Sequence, residues 1–274
     1  HAAGKRTTQH TYKWEAMEHS DRMHQIRFYN ERGQSLAGIL ETAPASKDII
    51  IMIHGFAADK NQAIFRDAAS YLKKTRYSTF RFDVAGTGES EGAFIESTLD
   101  KQAADLTSAL DYMHDMHGSD RQYHVLGFSL GAAIALLAPN HHVNSYIFWS
   151  PAFNPALDMH PRYTTPTIRA ALAQKGHFEK SGLQIGAKLI KDIGEIDLIS
   201  VIESTLQPVF IAHGTADPRI DYRSSITAAK IFPNCGLELI AGANHSYKDN
   251  PLHRKLLFEA TSKWLEKHTM IESR

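Results

Sequence analysis

The stretch Gly127-Phe128-Ser129-Leu130-Gly131 constrains this chain most, because it joins the apolar run His124-Val125-Leu126 directly to Ala132-Ala133-Ile134-Ala135-Leu136-Leu137. A strand, a sharp turn and a helix start must be packed into a few residues. A serine at such a turn is forced into a strained backbone conformation, and glycine two positions to either side leaves room where a Cβ would clash. The hydroxyl is pushed out at the end of the sheet. The next amide, that of Leu130, lies at the positive end of the new helix and is placed to donate to an oxyanion.

Hydrophobic patterning around this turn alternates between strands and helices. Met23–Tyr29 and Leu36–Leu40 flank the turn-rich Asn30-Glu31-Arg32-Gly33 and read as an antiparallel hairpin at a sheet edge. Asp48–Ile53 is a continuous apolar run, the pattern of a strand covered on both faces, and it leads into His54-Gly55-Phe56. A helix over 63–74, a strand over 79–83 and a long amphipathic helix over 99–117 follow. After the serine turn come a strand ending at Trp149, and later a strand over 208–212, a helix over 224–231, a strand over 237–240 and a helix over 252–268. The fold class is therefore α/β, a mostly parallel doubly wound sheet with an N-terminal antiparallel hairpin.

Between these halves, residues 151–206 lose the alternation. Prolines at 151, 155, 161 and 166 are followed by short amphipathic pieces such as 183–193. The domain expectation is a core over 21–150 and 207–270, a lid insertion over 151–206, and a loosely held lead-in over 1–20.

The chain has 274 residues with 30 basic and 30 acidic side chains, so no electrostatic footprint points to nucleic acid or an anionic membrane. A neutral or weakly charged small-molecule substrate is expected, bound by a monomer or homodimer. One cysteine, Cys235, excludes an intramolecular disulfide framework and fits a reducing compartment. No run reaches the roughly 18 apolar residues of a membrane span. The expected location is the cytoplasm, with secretion left open because the chain starts without methionine.

A serine hydroxyl needs a base to take its proton, and the base needs a carboxylate to fix its tautomer. Both are sought beyond the carboxyl ends of strands, where open parallel sheets gather functional groups. The strand ending at Ala212 is followed by His213-Gly214-Thr215-Ala216-Asp217, and the last strand by Asn244-His245. Ser129 as nucleophile, Asp217 as acid and His245 as base then follow in chain order, with Asp221 as the competing acid. The amides of Phe56 and Leu130 are the candidate oxyanion donors. His54 and His213 read as loop-fixing hydrogen-bonders, and Asp83 as a structural brace. Gly86-Thr87-Gly88 lacks the third glycine of a dinucleotide loop, since position 91 is Glu91. No metal-ligand spacing appears, and acyl transfer through serine calls for no cofactor.

Taken together, His54-Gly55-Phe56, Arg81-Phe82-Asp83 with Gly86–Ser90, the serine turn, His213–Asp217 and Asn244-His245 resemble the α/β-hydrolase superfamily. Within it the chain is similar to serine esterases grouped with cinnamoyl (feruloyl) esterases and with monoacylglycerol-lipase-like and serine-aminopeptidase-like hydrolases. The resemblance covers about residues 25–268. It implies the same triad, oxyanion donors and lid, and a carboxylesterase acting on short-chain or aromatic acyl esters. Phe128 stands where many relatives carry histidine, a variant that leaves the mechanism untouched. The insertion supplies candidate substrate-binding residues Phe153, Tyr163, His177 and Phe178, together with Met159, Ile168 and Leu172. The alternatives are a peptidase or amidase, a monoacylglycerol lipase of the same fold, or a hydrolase-fold protein that binds ligand without turnover.

Overall fold

The computed structural model describes residues 23–44, 46–139 and 141–269; the lead-in over 1–20 lies outside them. In chain order the elements are β1 (Met23–Tyr29), β2 (Ser35–Glu41), β3 (Asp48–Ile53), α1 (Ala63–Lys74), β4 (Ser78–Phe82), α2 (Leu99–His117), β5 (Gln122–Phe128), α3 (Leu130–Leu137) and β6 (Val143–Trp149). After α4 (Pro155–Asp158) come a 3-10 turn His160–Tyr163, α5 (Pro166–Lys175), β7 (His177–Lys180), β8 (Leu183–Gly186), α6 (Ala187–Glu195) and α7 (Ile199–Ser204). The chain then runs through β9 (Val209–Gly214), α8 (Tyr222–Ile231), β10 (Cys235–Ile240) and α9 (Pro251–Thr269).

Eight strands form one sheet in the order β1-β2-β4-β3-β5-β6-β9-β10. β1 pairs antiparallel with β2 and β2 with β4, and every other neighbouring pair is parallel. The expected α/β sheet with an antiparallel N-terminal edge is therefore the one observed.

Side-chain alternation explains why β3 reads as an unbroken apolar run. Ile49, Ile51 and Ile53 join the core that includes α2 and α3, while Ile50 and Met52 join the opposite one with α1 and α9. Both faces are covered, so neither set of side chains is left to water. Each fully buried aliphatic side chain stabilises the fold by about 1.5–3 kcal/mol relative to exposure.

Strand order also locates the functional crevice. From β3 the chain steps to β4 on one side and then to β5 on the other, so the topology reverses between β3 and β5. Segments leaving adjacent strands at such a point diverge to opposite faces and open a cleft. Ile53 and Gly127 are register partners, which places Gly55 and Ser129 side by side just beyond the sheet.

The amphipathic piece over 183–193 is divided between a strand and a helix. Leu183–Gly186 pairs antiparallel with His177–Lys180, and the helix starts only at Ala187. Ser181 and Gly182 have φ of 52° and 79°, the paired positive angles of a two-residue hairpin turn, and this turn overrides the amphipathic pattern.

Replacing Ile51, fully buried in the central strand, with alanine is expected to cost about 2–5 kcal/mol in urea unfolding. Leu206→Ala, at a residue 76% exposed, is expected to stay within about 0.5 kcal/mol.

Candidate active site

Ser129 sits between β5 and α3 with φ 58° and ψ −120°, a backbone region that non-glycine residues rarely occupy. The packing there tolerates no alternative. A Cβ at Gly131 would lie 2.4 Å from the Ile53 carbonyl oxygen, and one at Gly127 would lie 2.8 Å from the Ala132 Cα. Around the turn, the Ser129 N–H donates to the Trp149 carbonyl at 3.0 Å, and the Ala152 N–H donates to the Ser129 carbonyl at 3.1 Å.

One hydrogen-bonded chain links Ser129, His245 and Asp217. Ser129 Oγ is 3.1 Å from His245 Nε2, and His245 Nδ1 is 2.7 Å from Asp217 Oδ2. A carboxylate can only accept, so Nδ1 carries the proton and Nε2 is left to accept from the hydroxyl. Burial lowers the pKa of His245, more than Asp217 raises it. The imidazole is thus held neutral and ready to accept a proton.

Asp217 is buried and still ionised. Burial alone would raise its carboxyl, but hydrogen bonds from His213 and His245 reverse the sign and hold it well below the usual carboxylate range. His213 Nε2 lies 3.1 Å from the same Oδ2, and the backbone N–H groups of Arg219 and Ile220 donate to Oδ1 at 2.7 and 3.1 Å. The second imidazole is fixed by Ser225, whose Oγ is 2.6 Å from His213 Nδ1. His213, read from sequence as a loop-fixer, is therefore a direct partner of Asp217. Asp221 instead caps α8, accepting from the Arg223 N–H, and does not reach His245.

Further contacts fix the His245 loop. Ser150 Oγ donates to the His245 carbonyl at 3.1 Å, and the buried Tyr247 hydroxyl donates to the Ala212 carbonyl at 3.0 Å. The Phe128 ring lies 5.1 Å from the His245 ring, centroid to centroid, and forms a wall behind the imidazole. This contact gives the residue between Gly127 and Ser129 a positioning task that sequence reading did not assign.

The loop after β3 closes the other side. A Cβ on Gly55 would lie 3.1 Å from the Ser129 Cβ, so the chain passes directly against the serine. Among the described residues, the amides of Phe56 and Leu130 have no hydrogen-bond acceptor. The loop itself is anchored by Lys60, whose buried Nζ lies 2.5 Å from both Asp83 Oδ2 and Glu89 Oε2. His54 adds a contact from Nδ1 to the Gly55 carbonyl at 3.0 Å. Asp83 is thereby committed to bracing the loop.

A pocket of about 100 Å³ lies over Ser129 and His245. Tyr163 and Met159 from the insertion line it, and the Tyr163 ring packs 4.5 Å from that of Phe56. Phe178 sits one layer behind, with its ring 6.0 Å from Tyr163. Phe153 and His177 are not brought to this pocket. Phe153 packs edge-on against Phe148 and Phe232 in the core, and His177 Nδ1 is engaged 3.0 Å from the Lys175 carbonyl. Ile168 and Leu172 pack on the core as partly buried residues. Arg162, Lys180 and Arg219 also line the pocket, and the sequence reading passed over all three.

This sheet, with a serine held in a strained turn at the topological switch point, defines an α/β hydrolase. The chain belongs to the family described as serine aminopeptidase, S33, whose model matches residues 44–193. An uncharacterized protein of Rickettsia prowazekii (strain Madrid E) is 25% identical over 137 residues, 48% of this chain and 57% of its own length. The match thus spans little more than half of that relative. Among solved structures, Est1E from Butyrivibrio proteoclasticus with ferulic acid bound superposes with a TM-score of 0.75 at 21% identity, covering 89% of this chain and 99% of the other. Mouse alpha/beta hydrolase domain-containing protein 10 gives 0.71 at 20% identity, covering 89% and 99%. No helix among the described residues is long and apolar enough to cross a membrane.

Asp217→Asn is expected to lower stability by about 2–4 kcal/mol at neutral pH, because a buried charged acceptor is lost. The folded-state carboxyl is depressed, so its contribution is present above about pH 4 and is lost as pH falls through the folded value. The gap between wild type and variant should therefore narrow in thermal melts taken at successively lower pH.

Proposed function

We propose that this protein is a serine hydrolase that cleaves carboxylic esters of short-chain or aromatic acids through an acyl-enzyme. The observation that carries this reading is the continuous chain from Ser129 Oγ through His245 to Asp217, at 3.1 and 2.7 Å. Ser129 Oγ attacks the ester carbonyl as His245 Nε2 takes its proton, and the same proton passes to the departing alcohol. Water then attacks the acyl-serine, losing a proton to His245 Nε2, and as the bond between the acyl carbon and Ser129 Oγ breaks His245 returns that proton to Oγ, releasing the acid and restoring the hydroxyl.

Charge that develops on the carbonyl oxygen is received by the amides of Phe56 and Leu130. Each such donor contributes about 3–4 kcal/mol to lowering the barrier. Residues 151–206 act as a cap, with Met159 and Tyr163 restricting the pocket to small acyl groups. A pocket of about 100 Å³ favours them over long lipid chains.

The family description gives a second reading, amide cleavage at a peptide N-terminus. An aminopeptidase needs an anionic handle for the substrate's ammonium group. The pocket lining offers Arg162, Lys180 and Arg219 and no carboxylate, which supports the ester reading over it.

A fluorophosphonate probe is expected to label Ser129, and p-nitrophenyl acetate and butyrate to be hydrolysed. Both activities should drop about 10⁴-fold or more in Ser129→Ala. A folded wild-type protein that neither takes up the probe nor turns over any ester in a panel including methyl ferulate would overturn the proposal.

The rate should also depend on pH in a defined direction. Burial holds His245 below the ordinary imidazole value, so kcat/KM should rise with pH through a midpoint below about 6.5 and then plateau. A profile flat from acid to alkaline pH, with folding unchanged, would remove His245 as the base.

A further inference from the structure

The pocket over Ser129 is chemically lopsided. Its charged lining consists of Arg162, Lys180 and Arg219, with His245 the remaining titratable group besides Tyr163. Arg162 belongs to the 3-10 turn of the cap, Lys180 closes β7, and Arg219 follows Asp217 beyond β9. Among the described residues none of the three makes an ion pair. Other cations of this protein do: Lys60 pairs with Asp83, Arg81 with Glu41 and Arg32 with Asp105.

Three uncompensated cations around one small opening repel each other, and folding gains nothing from gathering them. Arg162 and Arg219 are exposed and Lys180 is half-buried, and two of the three are anchored beside the pocket. The Arg219 N–H is held by Asp217 Oδ1 at 2.7 Å, which ties the residue to the Ser129-His245-Asp217 chain while leaving its guanidinium uncommitted. Lys180 Nζ lies 5.8 Å from the centroid of the Tyr163 ring.

The charges of Arg219 and Arg162 act on the titratable groups beside Ser129. Burial lowers the pKa of His245 and Arg219 lowers it further; burial raises that of Tyr163 against the opposing pull of Arg162 and Arg219. The carboxyl that feels Arg162, Asp158, lines a separate groove with Leu157 and Ile199 and not this pocket. A cleft lined by one sign of charge concentrates ligands of the other sign.

We propose that the substrate of this protein is an ester bearing an anionic group, typified by a carboxylate, which Arg219, Arg162 and Lys180 hold while its ester carbonyl faces Ser129. This rests on the reading of Ser129 as the nucleophile. The zero net charge of the whole chain does not bear on it, because the sign at the mouth is set locally.

Matched esters test the idea. 4-Acetoxybenzoate against its methyl ester places the anion on the leaving group, and monophenyl glutarate against phenyl valerate places it on the acyl group. In one of the pairs kcat/KM should favour the anion by about tenfold or more, and the preference should shrink between about 0.05 M and about 0.5 M NaCl. Arg219→Gln and the double variant Arg162→Gln/Lys180→Gln should collapse that ratio, and Arg219→Lys should retain part of it. Lys255→Gln, on the distant α9 where Lys255 faces Glu259, should leave it intact.

Neutral esters turned over as well as their anionic partners, with a ratio indifferent to Arg219→Gln, would overturn the anion proposal while leaving the esterase reading in place. If no ester is turned over, calorimetry of Ser129→Ala with 4-acetoxybenzoate and its methyl ester still decides. Tighter binding of the anion that is lost in Arg219→Gln upholds the anionic site and sinks the hydrolase reading; equal or absent binding of the two overturns the proposal itself.

Discussion

The close approach of two chain segments at the carboxyl ends of β3 and β5 governs the rest of this molecule. The α3 helix begins against the carbonyl of Ile53, and only a residue without a side chain fits at position 131. Ser129 must then turn with positive φ, at a cost of about 1–3 kcal/mol for a non-glycine residue. That strain persists because the surroundings over-determine it. The Ser129 N–H donates to the Trp149 carbonyl, and the Ala152 and Ala132 N–H groups donate to the Ser129 carbonyl. The parallel sheet thus fixes the direction of one hydroxyl, and every other feature of the site is arranged with respect to it.

Two buried carboxylates show how environment assigns tasks. Asp83 and Asp217 both follow strands near the crevice, but Asp83 is paired with the ammonium of Lys60 at 2.5 Å and receives the Lys60 N–H at 2.7 Å. Its charge is spent on holding the loop that carries Gly55 and Phe56. Asp217 has no permanent cation beside it. It is kept ionised by hydrogen bonds from two imidazoles and two backbone amides.

Much of this was legible in the sequence because it depends on local rules. The serine turn needs its glycines, a strand buried on both faces reads as a continuous run, and the order serine, aspartate, histidine follows the strand ends. What was not legible depends on how separate segments meet. His213 reaches Asp217 only because the turn from Gly214 to Asp217 folds back, a geometry that no pattern of residue types encodes. The insertion has short strands carrying polar residues, and no period of 2 or 3.6 survives over lengths of four residues. Phe153 and His177 were therefore assigned to the pocket by proximity in sequence, whereas the Phe148–Phe232 cluster and the Lys175 carbonyl hold them elsewhere.

Core and cap contribute to the pocket in different currencies. The core supplies atoms fixed by sheet hydrogen bonds, and a shift there would disturb the Ser129–His245 distance. The insertion supplies side chains from a 3-10 turn and a two-stranded hairpin, joined to the core by the packing of Tyr163 on Phe56 and of Phe178 on Tyr163. Arg162 and Lys180 come from the insertion and Arg219 from the core, one position beyond Pro218 in the loop that carries Asp217. On the proposed reading, an anionic group drawn toward Arg219 is drawn toward the loop whose Asp217 also orients His245, so charge recognition and the orientation of the imidazole share one short segment.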